Sequence, residues 1–414
     1  MLIFVKELYE PLWDDIYHRA HANGFSIRSI WIADVAHQGQ SGVLNELKLG
    51  NDRMSIYLLF FDQLNPILLT NNRIQLRGMI TQEICSIWST ISDARCHVLS
   101  WESGIVWVGL SCTPYACFLS TCDSLLTERR VNLSLMHPRL FTALILIDPV
   151  IELGKTTSSD AVGKFGPTYD IATASTYRRD VWPSRKAAAE SFSRNPFYQR
   201  WDKRVLDIWI EKGLRELPTA IYPEHPKDGD TGRPVTLLTT KHQEVWTYVR
   251  PNYHGKDSQG NLVQDRLTHP DIDLSMKESH PFYRPEGAAL FRRLPFLRPS
   301  TFYILGELSN LSTPEKRRDK VLNTGIEVGG SGGVKEGKVK DVVLPGVGHL
   351  VPMEAVSETA EECSKWLGEV MTVWREDESR MKNLRKEQSN IMVDDMWKKH
   401  IGTMPNRSAS DTKL

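Results

Sequence analysis

The feature that most constrains this chain is the run Leu140 to Ile147, which is almost wholly apolar and ends in Asp148-Pro149. Such an uninterrupted run suits a strand buried on both faces, as in a parallel sheet covered by helices. Its surroundings fit that architecture. Leu8 to His21 has Leu12, Trp13, Ile16 and Tyr17 on one helical face, and Asn23-Gly24 supplies a stop. A β-rich run, Ile27 to Val35, follows, and then a Gly/Ser turn at Gly39 to Gly42. Helix, strand and glycine loop read as one unit of a parallel α/β sheet. Further strands are expected at Thr301–Leu305 and Val339–Leu344, with an amphipathic helix over Ser357–Trp374.

Between these core pieces the character changes. From about Lys155 to Pro299 the chain is rich in Trp, Tyr, Arg and Pro. Helices are expected at Arg185–Ser193 and Arg204–Leu214, and a loop at Pro223–Pro234. The organisation that follows is a partial core in 1–52, a poorly specified segment in 53–130, a core strand in 131–154, and an inserted cap in 155–299. The core resumes in 300–375 with a candidate His, and 376–414 is a charged tail expected to fray beyond Thr403. The Lys and Arg residues from Arg375 to Lys399 alternate with acids, as on a solvated helix face.

Composition removes several function classes. The 51 basic and 51 acidic residues cancel, which argues against a nucleic-acid partner. No apolar run is long enough for a membrane span, and no leader with a cleavage site is visible. Five of the six cysteines, Cys85, Cys96, Cys112, Cys117 and Cys122, crowd one stretch, and Cys363 stands apart. They match neither a disulfide scaffold nor a common zinc spacing.

The strongest chemical signal is Leu344-Pro-Gly-Val-Gly-His349-Leu-Val-Pro-Met-Glu354. A strand delivers a glycine turn, a histidine follows, and a helix begins. A general base needs such a tight loop to bring its ring to a nucleophile. An ordinary loop histidine is the alternative.

Here the sequence resembles the α/β-hydrolases. Gly348-His349-Leu350-Val351-Pro352-Met353-Glu354 looks like their catalytic-histidine loop. Lys6–Trp13, Ile30–Ser41 and Met136–Pro149 are similar to a fungal peroxisomal lipase-like, host-selective toxin-biosynthesis group. Tyr177–Ser184 and Thr240–Glu244 resemble that group's cap. The resemblance implies a mostly parallel sheet with helices on both faces, an inserted helical cap, and hydrolysis or transfer of an acyl ester or thioester. It implies a Ser–His–acid triad, no cofactor and a small acyl substrate. His349 would be the general base. The family's acid position is occupied by Ser309, so nearby Glu307 is the candidate acid, with Asp148 as the alternative known from variant hydrolases. Either carboxylate also reads as a turn residue. His242 and Glu244 read as locally bonded cap residues, and the cap aromatics as core or as an acyl pocket. The final Thr412-Lys413-Leu414 resembles a peroxisomal address, which would engage an import receptor; otherwise the chain reads as cytoplasmic.

The nucleophile is unknown. The family needs a G-x-S-x-G elbow between strand and helix. Gly109-Leu110-Ser111-Cys112-Thr113 lacks the second glycine. The literal match, Gly329-Gly330-Ser331-Gly332-Gly333, lies in a flexible-looking loop before a strand. The family's His-Gly oxyanion loop and the strands before it are also expected to be missing ahead of Met1.

The codons offer a cause. Arg53-Met54-Ser55 can encode the fungal splice donor GTATGT, Leu69-Thr70 a branch point and Gln75 an acceptor. Cys112-Thr113, Leu126-Thr127 and Arg130 permit a second set. The implied inserts, of about 68 and about 55 nucleotides, each break the frame and together restore it. One base away, the codons for Arg77 to Leu110 permit S-W-Y-D-H-S-R-D-L, then M-P-R-P. Across Trp101 to Gly109 they permit G-x-G-H-S-M-G-G, the missing elbow. The segment 53–130 is therefore expected to be intron-derived and frame-shifted. As written, the alternative function is a catalytically dead relic or binding module, because removing the nucleophile removes most of the rate.

Overall fold

A computed structural model describes residues 5–32, 34, 37–49, 107–110, 116–120, 131–153, 167–224, 232–274, 280–387 and 392–402. Most of the 53–130 segment, the Gly/Asp/Pro loop after Glu224, and the terminal Thr412-Lys413-Leu414 lie outside these residues. The chain divides into two compact units, Met1–Gly368 and Glu369–Leu414.

In chain order the described elements begin with α1 (Glu10–Ala20), β1 (Ile27–Trp31), α2 (Gly39–Leu44), β2 (Trp107–Leu110), β3 (Ala116–Ser120) and β4 (Phe141–Ile147). The inserted region holds α3 (Pro167–Tyr177), β5 (Val181–Trp182), α4 (Arg185–Arg194), α5 (Pro196–Gln199), α6 (Lys203–Lys212), β6 (Leu214–Glu216), β7 (Val235–Leu237), α7 (Lys241–Tyr248), β8 (Arg250–Pro251) and β9 (Phe282–Tyr283). The chain then returns through α8 (Glu286–Phe291), β10 (Ser300–Gly306), α9 (Pro314–Asn323), β11 (Val339–Leu344), α10 (Val351–Glu354) and α11 (Val356–Glu387), ending in α12 (Asp395–Ile401).

The main sheet has the order β1-β2-β3-β4-β10-β11. The neighbours β3, β4, β10 and β11 are parallel, whereas β2 is antiparallel to both β1 and β3. The first strand thus does not begin a parallel unit: it sits at an antiparallel edge, a common arrangement on an otherwise parallel sheet. The expected Gly39–Gly42 turn is instead the first part of α2. Gly39 takes φ 51° there, and a Cβ on it would collide with the Asp34 carboxylate.

Both faces of the sheet are covered, as the apolar run of β4 requires. One face buries Phe141, Leu144 and Leu146 with Tyr303 and Leu305, beneath Leu290 of α8 and Val321 of α9. On β10 the alternate residue Phe302 stacks on Trp366 of α11 at 5.3 Å between ring centroids. The period of α11 explains its docking: Val356, Ala360, Cys363 and Leu367 are all buried. This helix runs past the expected end at Trp374 to Glu387. Within the second unit, Asp394 caps α12 by accepting from Trp397 N at 2.7 Å. No described helix is long and apolar enough to cross a membrane.

The inserted region has its own small sheet, β5-β7-β6. Its aromatics pack on one another. Trp209 lies 6.1 Å from Phe192, 6.4 Å from Tyr198 and 6.3 Å from Trp201, centroid to centroid. All four are buried. Leu290, Leu294 and Leu297, by contrast, belong to the core under the main sheet, so the chain has rejoined that core by α8.

Trp209→Ala is expected to cost about 3–5 kcal/mol of stability, because it empties the centre of this aromatic cluster. Denaturant unfolding followed by tryptophan fluorescence measures the loss.

Candidate active site

The C-terminal ends of three adjacent parallel strands converge on one carboxylate. Asp148 follows β4 and is completely buried. Its backbone adopts φ 42°, a left-handed conformation that Asp tolerates better than most residues. The turn is held by Asp148 N, which donates to Ile304 O of β10 at 2.8 Å. His349, in the loop after β11, places Nδ1 2.6 Å from Asp148 Oδ2. Ser309, in the turn after β10, donates its hydroxyl to the same oxygen at 2.5 Å.

The two loops are built to bring these groups together. Gly306 ends β10, and a Cβ there would lie 2.0 Å from Gly348 O. Only glycine lets the histidine loop lie against this strand end. Leu308 N then donates to Val347 O at 2.8 Å, and Glu307 N to Leu344 O at 3.0 Å. Arg317 of α9 donates to the carbonyls of Gly306, Glu307 and Ser312, fixing the turn that carries Ser309. On the other side of the loop, Glu354 accepts from Gly348 N at 2.9 Å and pairs with Arg200 of the inserted region at 2.7 Å. Asp202 N also donates to Met353 O at 2.7 Å. The inserted region is therefore fastened to the loop that bears His349.

Electrostatics favour an ionised Asp148. Burial pushes its carboxyl up, but the hydrogen bond and charge of His349, the Ser309 hydroxyl and the Lys320 ammonium together hold it below the usual value. An imidazole oriented through Nδ1 by a buried carboxylate is the arrangement of a general base.

Glu307 does not take part in this cluster. It is exposed, and its carboxylate accepts from Gly346 N at 2.8 Å, closing the glycine turn. The partner of His349 is Asp148, the alternative among the sequence candidates. Ser309 is at the position where the family resemblance leads one to look for an acid, and it contributes a hydroxyl to the acid carried by the neighbouring strand. A serine there and an aspartate ending the preceding strand form a joint signal that neither residue gives alone.

Ser331 is remote from this centre. Its N donates to Leu297 O before β10, and its hydroxyl accepts from Gly333 N. It therefore lies where β10 and β11 begin, about 20 Å of strand from their histidine-bearing ends. Gly109 and Leu110 lie in antiparallel β2, and Ser111 to Thr113 lie outside the described residues. Glu244 is not bonded only within its own helix: it binds Ser175 and Arg178 as well as Tyr248. Burial raises its carboxyl above the usual value despite Arg178. His242 lies against a cavity of about 320 Å³ together with His37, Arg215 and Trp246.

Comparison with known proteins gives the lineage. The chain is 34% identical over 412 residues to the type I acyl-CoA thioesterase mpaH of Penicillium roqueforti, covering 97% of this chain and 83% of that protein. The chain belongs to this fungal α/β-hydrolase family. It is also 26% identical over 278 residues to the abhydrolase domain-containing protein ACTT2-1 of Alternaria alternata, covering 65% of this chain and 92% of that one. Among solved structures, the peroxisomal α/β-hydrolase Lpx1 of Saccharomyces cerevisiae matches at 15% identity and TM-score 0.48, over 87% of this chain and 76% of that one. No family model matches. Asp148 precedes His349 in the chain, the order in which the α/β-hydrolase triad places its acid and its histidine.

In a chain that turns over an ester, Asp148→Asn is expected to lower kcat by about 10²–10⁴-fold. Glu307→Gln is expected to stay within a few-fold of the parent. Steady-state ester hydrolysis compares the two.

Proposed function

We propose that this protein is an acyl ester or thioester hydrolase of fungal secondary metabolism, in which His349 is the general base and Asp148 its acid. The observation that carries this reading is the 2.6 Å contact between His349 Nδ1 and the buried Asp148 carboxylate at the C-terminal edge of a parallel sheet. His349 takes the proton of a serine hydroxyl as it attacks the acyl carbonyl, and returns it to the leaving thiol or alcohol. The relative named an acyl-CoA thioesterase supports a thioester substrate.

The serine comes, in this proposal, from the restored reading frame. The elbow codons under Trp101 to Gly109 place about six codons between the serine and Val131 once the second insert is removed. Residues 131–136 are helical, and Val131 is buried in the sheet core. An elbow must open directly into a helix, and this spacing continues one into the helix already present. Thr412-Lys413-Leu414 supports delivery to the peroxisome through an import receptor.

A second reading applies to the chain as written. Its 53–130 segment carries no G-x-S-x-G motif, which favours a non-catalytic product of this frame. Sequencing the mature transcript and assaying both chains on a p-nitrophenyl ester and an acyl-CoA separates the two. The respliced chain is expected to turn over, and His349→Ala to abolish that turnover. A transcript that retains both inserts, or turnover by the chain as written that His349→Ala abolishes, contradicts the resplicing proposal.

A further inference from the structure

A buried carboxylate whose imidazole partner is uncharged carries an uncompensated charge, and removing such a charge from water is costly unless a cation answers it. Asp148 is in that position whenever His349 is uncharged, the form from which a general base starts. Its Oδ2 accepts from Ser309 and faces His349, while Oδ1 is buried with no hydrogen-bond partner among the described residues. The Ser309 hydroxyl supplies a dipole and no charge.

The helix α9 presents three cations toward this end of the sheet. Lys316 is committed to Glu152 at 2.7 Å. Arg317 is committed to the carbonyls of Gly306, Glu307 and Ser312. Lys320 is fully buried, and its Nζ donates to Pro149 O at 2.7 Å, one residue from the acid. A lysine with no exposed surface is rare without an anion to justify it. The charged groups facing it are Asp148 and Glu152 from the segment after β4, and Lys316 and Arg317 from its own helix. Glu152 is already paired with Lys316, so among the described residues Asp148 is the anion left for Lys320.

We propose that Lys320 is the buried counter-ion of the Asp148–His349 pair and a positioning residue for its chemistry. Through Pro149 O it holds the turn that sets Asp148 in its left-handed conformation. Through its charge it lets Asp148 stay ionised while His349 is neutral. Without that charge the cluster would satisfy Asp148 by binding a proton, which removes the base. Burial depresses the lysine itself to about 8, with Asp148 and Glu152 opposing the fall. Its charge is therefore retained at neutral pH and given up above that value.

The inference rests on the acid–base reading of Asp148 and His349, but its test needs no turnover. The full chain with ¹³C-labelled histidine is titrated by NMR, and the His349 signal is assigned by its loss in His349→Gln. Lys320→Met is expected to move protonation of the pair to higher pH by about one unit or more, and Lys320→Arg to leave it near the parent. A folded Lys320→Met that titrates like the parent overturns the proposal, as does Lys320→Arg that shifts as far as Lys320→Met. If Lys320→Met does not fold, the reciprocal experiment decides. In Asp148→Asn with labelled lysine, the Lys320 ammonium loses its anion and is expected to deprotonate at lower pH by a similar amount. An unchanged lysine titration there overturns the proposal. An inactive chain that shows these shifts leaves the counter-ion role standing and counts only against the hydrolase reading.

Discussion

The structure depends on one carboxylate. Asp148 joins the ends of β4, β10 and β11, because its Oδ2 receives Ser309 from one turn and His349 from the next. Parallel pairing makes this possible. Ile304 of β10 lies opposite Ile147, and Leu344 of β11 lies opposite Gly306, so all three strands end at one edge. The apolar residues that bury β4 on both faces also exclude water from the residue that ends it. Burial would ordinarily favour the neutral acid. Here the imidazole, the hydroxyl and the lysine reverse that preference, and the site is polar only where it has partners.

The inserted region is bound to the same site. Arg200 reaches Glu354, Glu354 holds Gly348 N, and the next residue is His349. A second tie runs from Arg204 to Asp15 of α1, with Ser357 of α11 donating to the same carboxylate. A displacement of the α5–α6 region therefore pulls on the histidine loop as well as on the helices that cover the sheet. The aromatic packing around Trp209 stiffens the region that makes these ties. Trp209, Phe192, Tyr198 and Trp201 thus form a small core within the inserted region.

Much of this was legible in the sequence where one physical demand dominates. The run into Asp148-Pro149 and the strand–glycine–His349 loop have few other structural solutions, and Val339–Leu344 is a strand with the expected bounds. The carboxylate that partners His349 was not legible because Glu307 and Asp148 both end strands, and local pattern does not say which one points at His349. Burial decides it: Glu307 is exposed on the glycine turn, while Asp148 is fully enclosed. Lys320 lies in the charged stretch Pro314–Asn323, where nothing in the pattern marks one lysine as buried. The antiparallel placement of β1 was hidden for another reason. A strand's direction is set by its neighbour, and β2 lies within a segment whose composition carries no pattern to read.

The sheet also restricts where a nucleophile can be. β3 runs parallel to β4, with Ser120 opposite Leu146, so the chain leaving β3 emerges level with Asp148. An α/β-hydrolase serine must stand at such a strand end, on a turn that glycines keep tight, beside the histidine. The sequence after β3 is Thr121-Cys122-Asp123-Ser124, with no glycine to make that turn. That stretch carries no glycine to meet the requirement, whereas Asp148, His349, their supporting turns and the helix 131–136 are among the described residues.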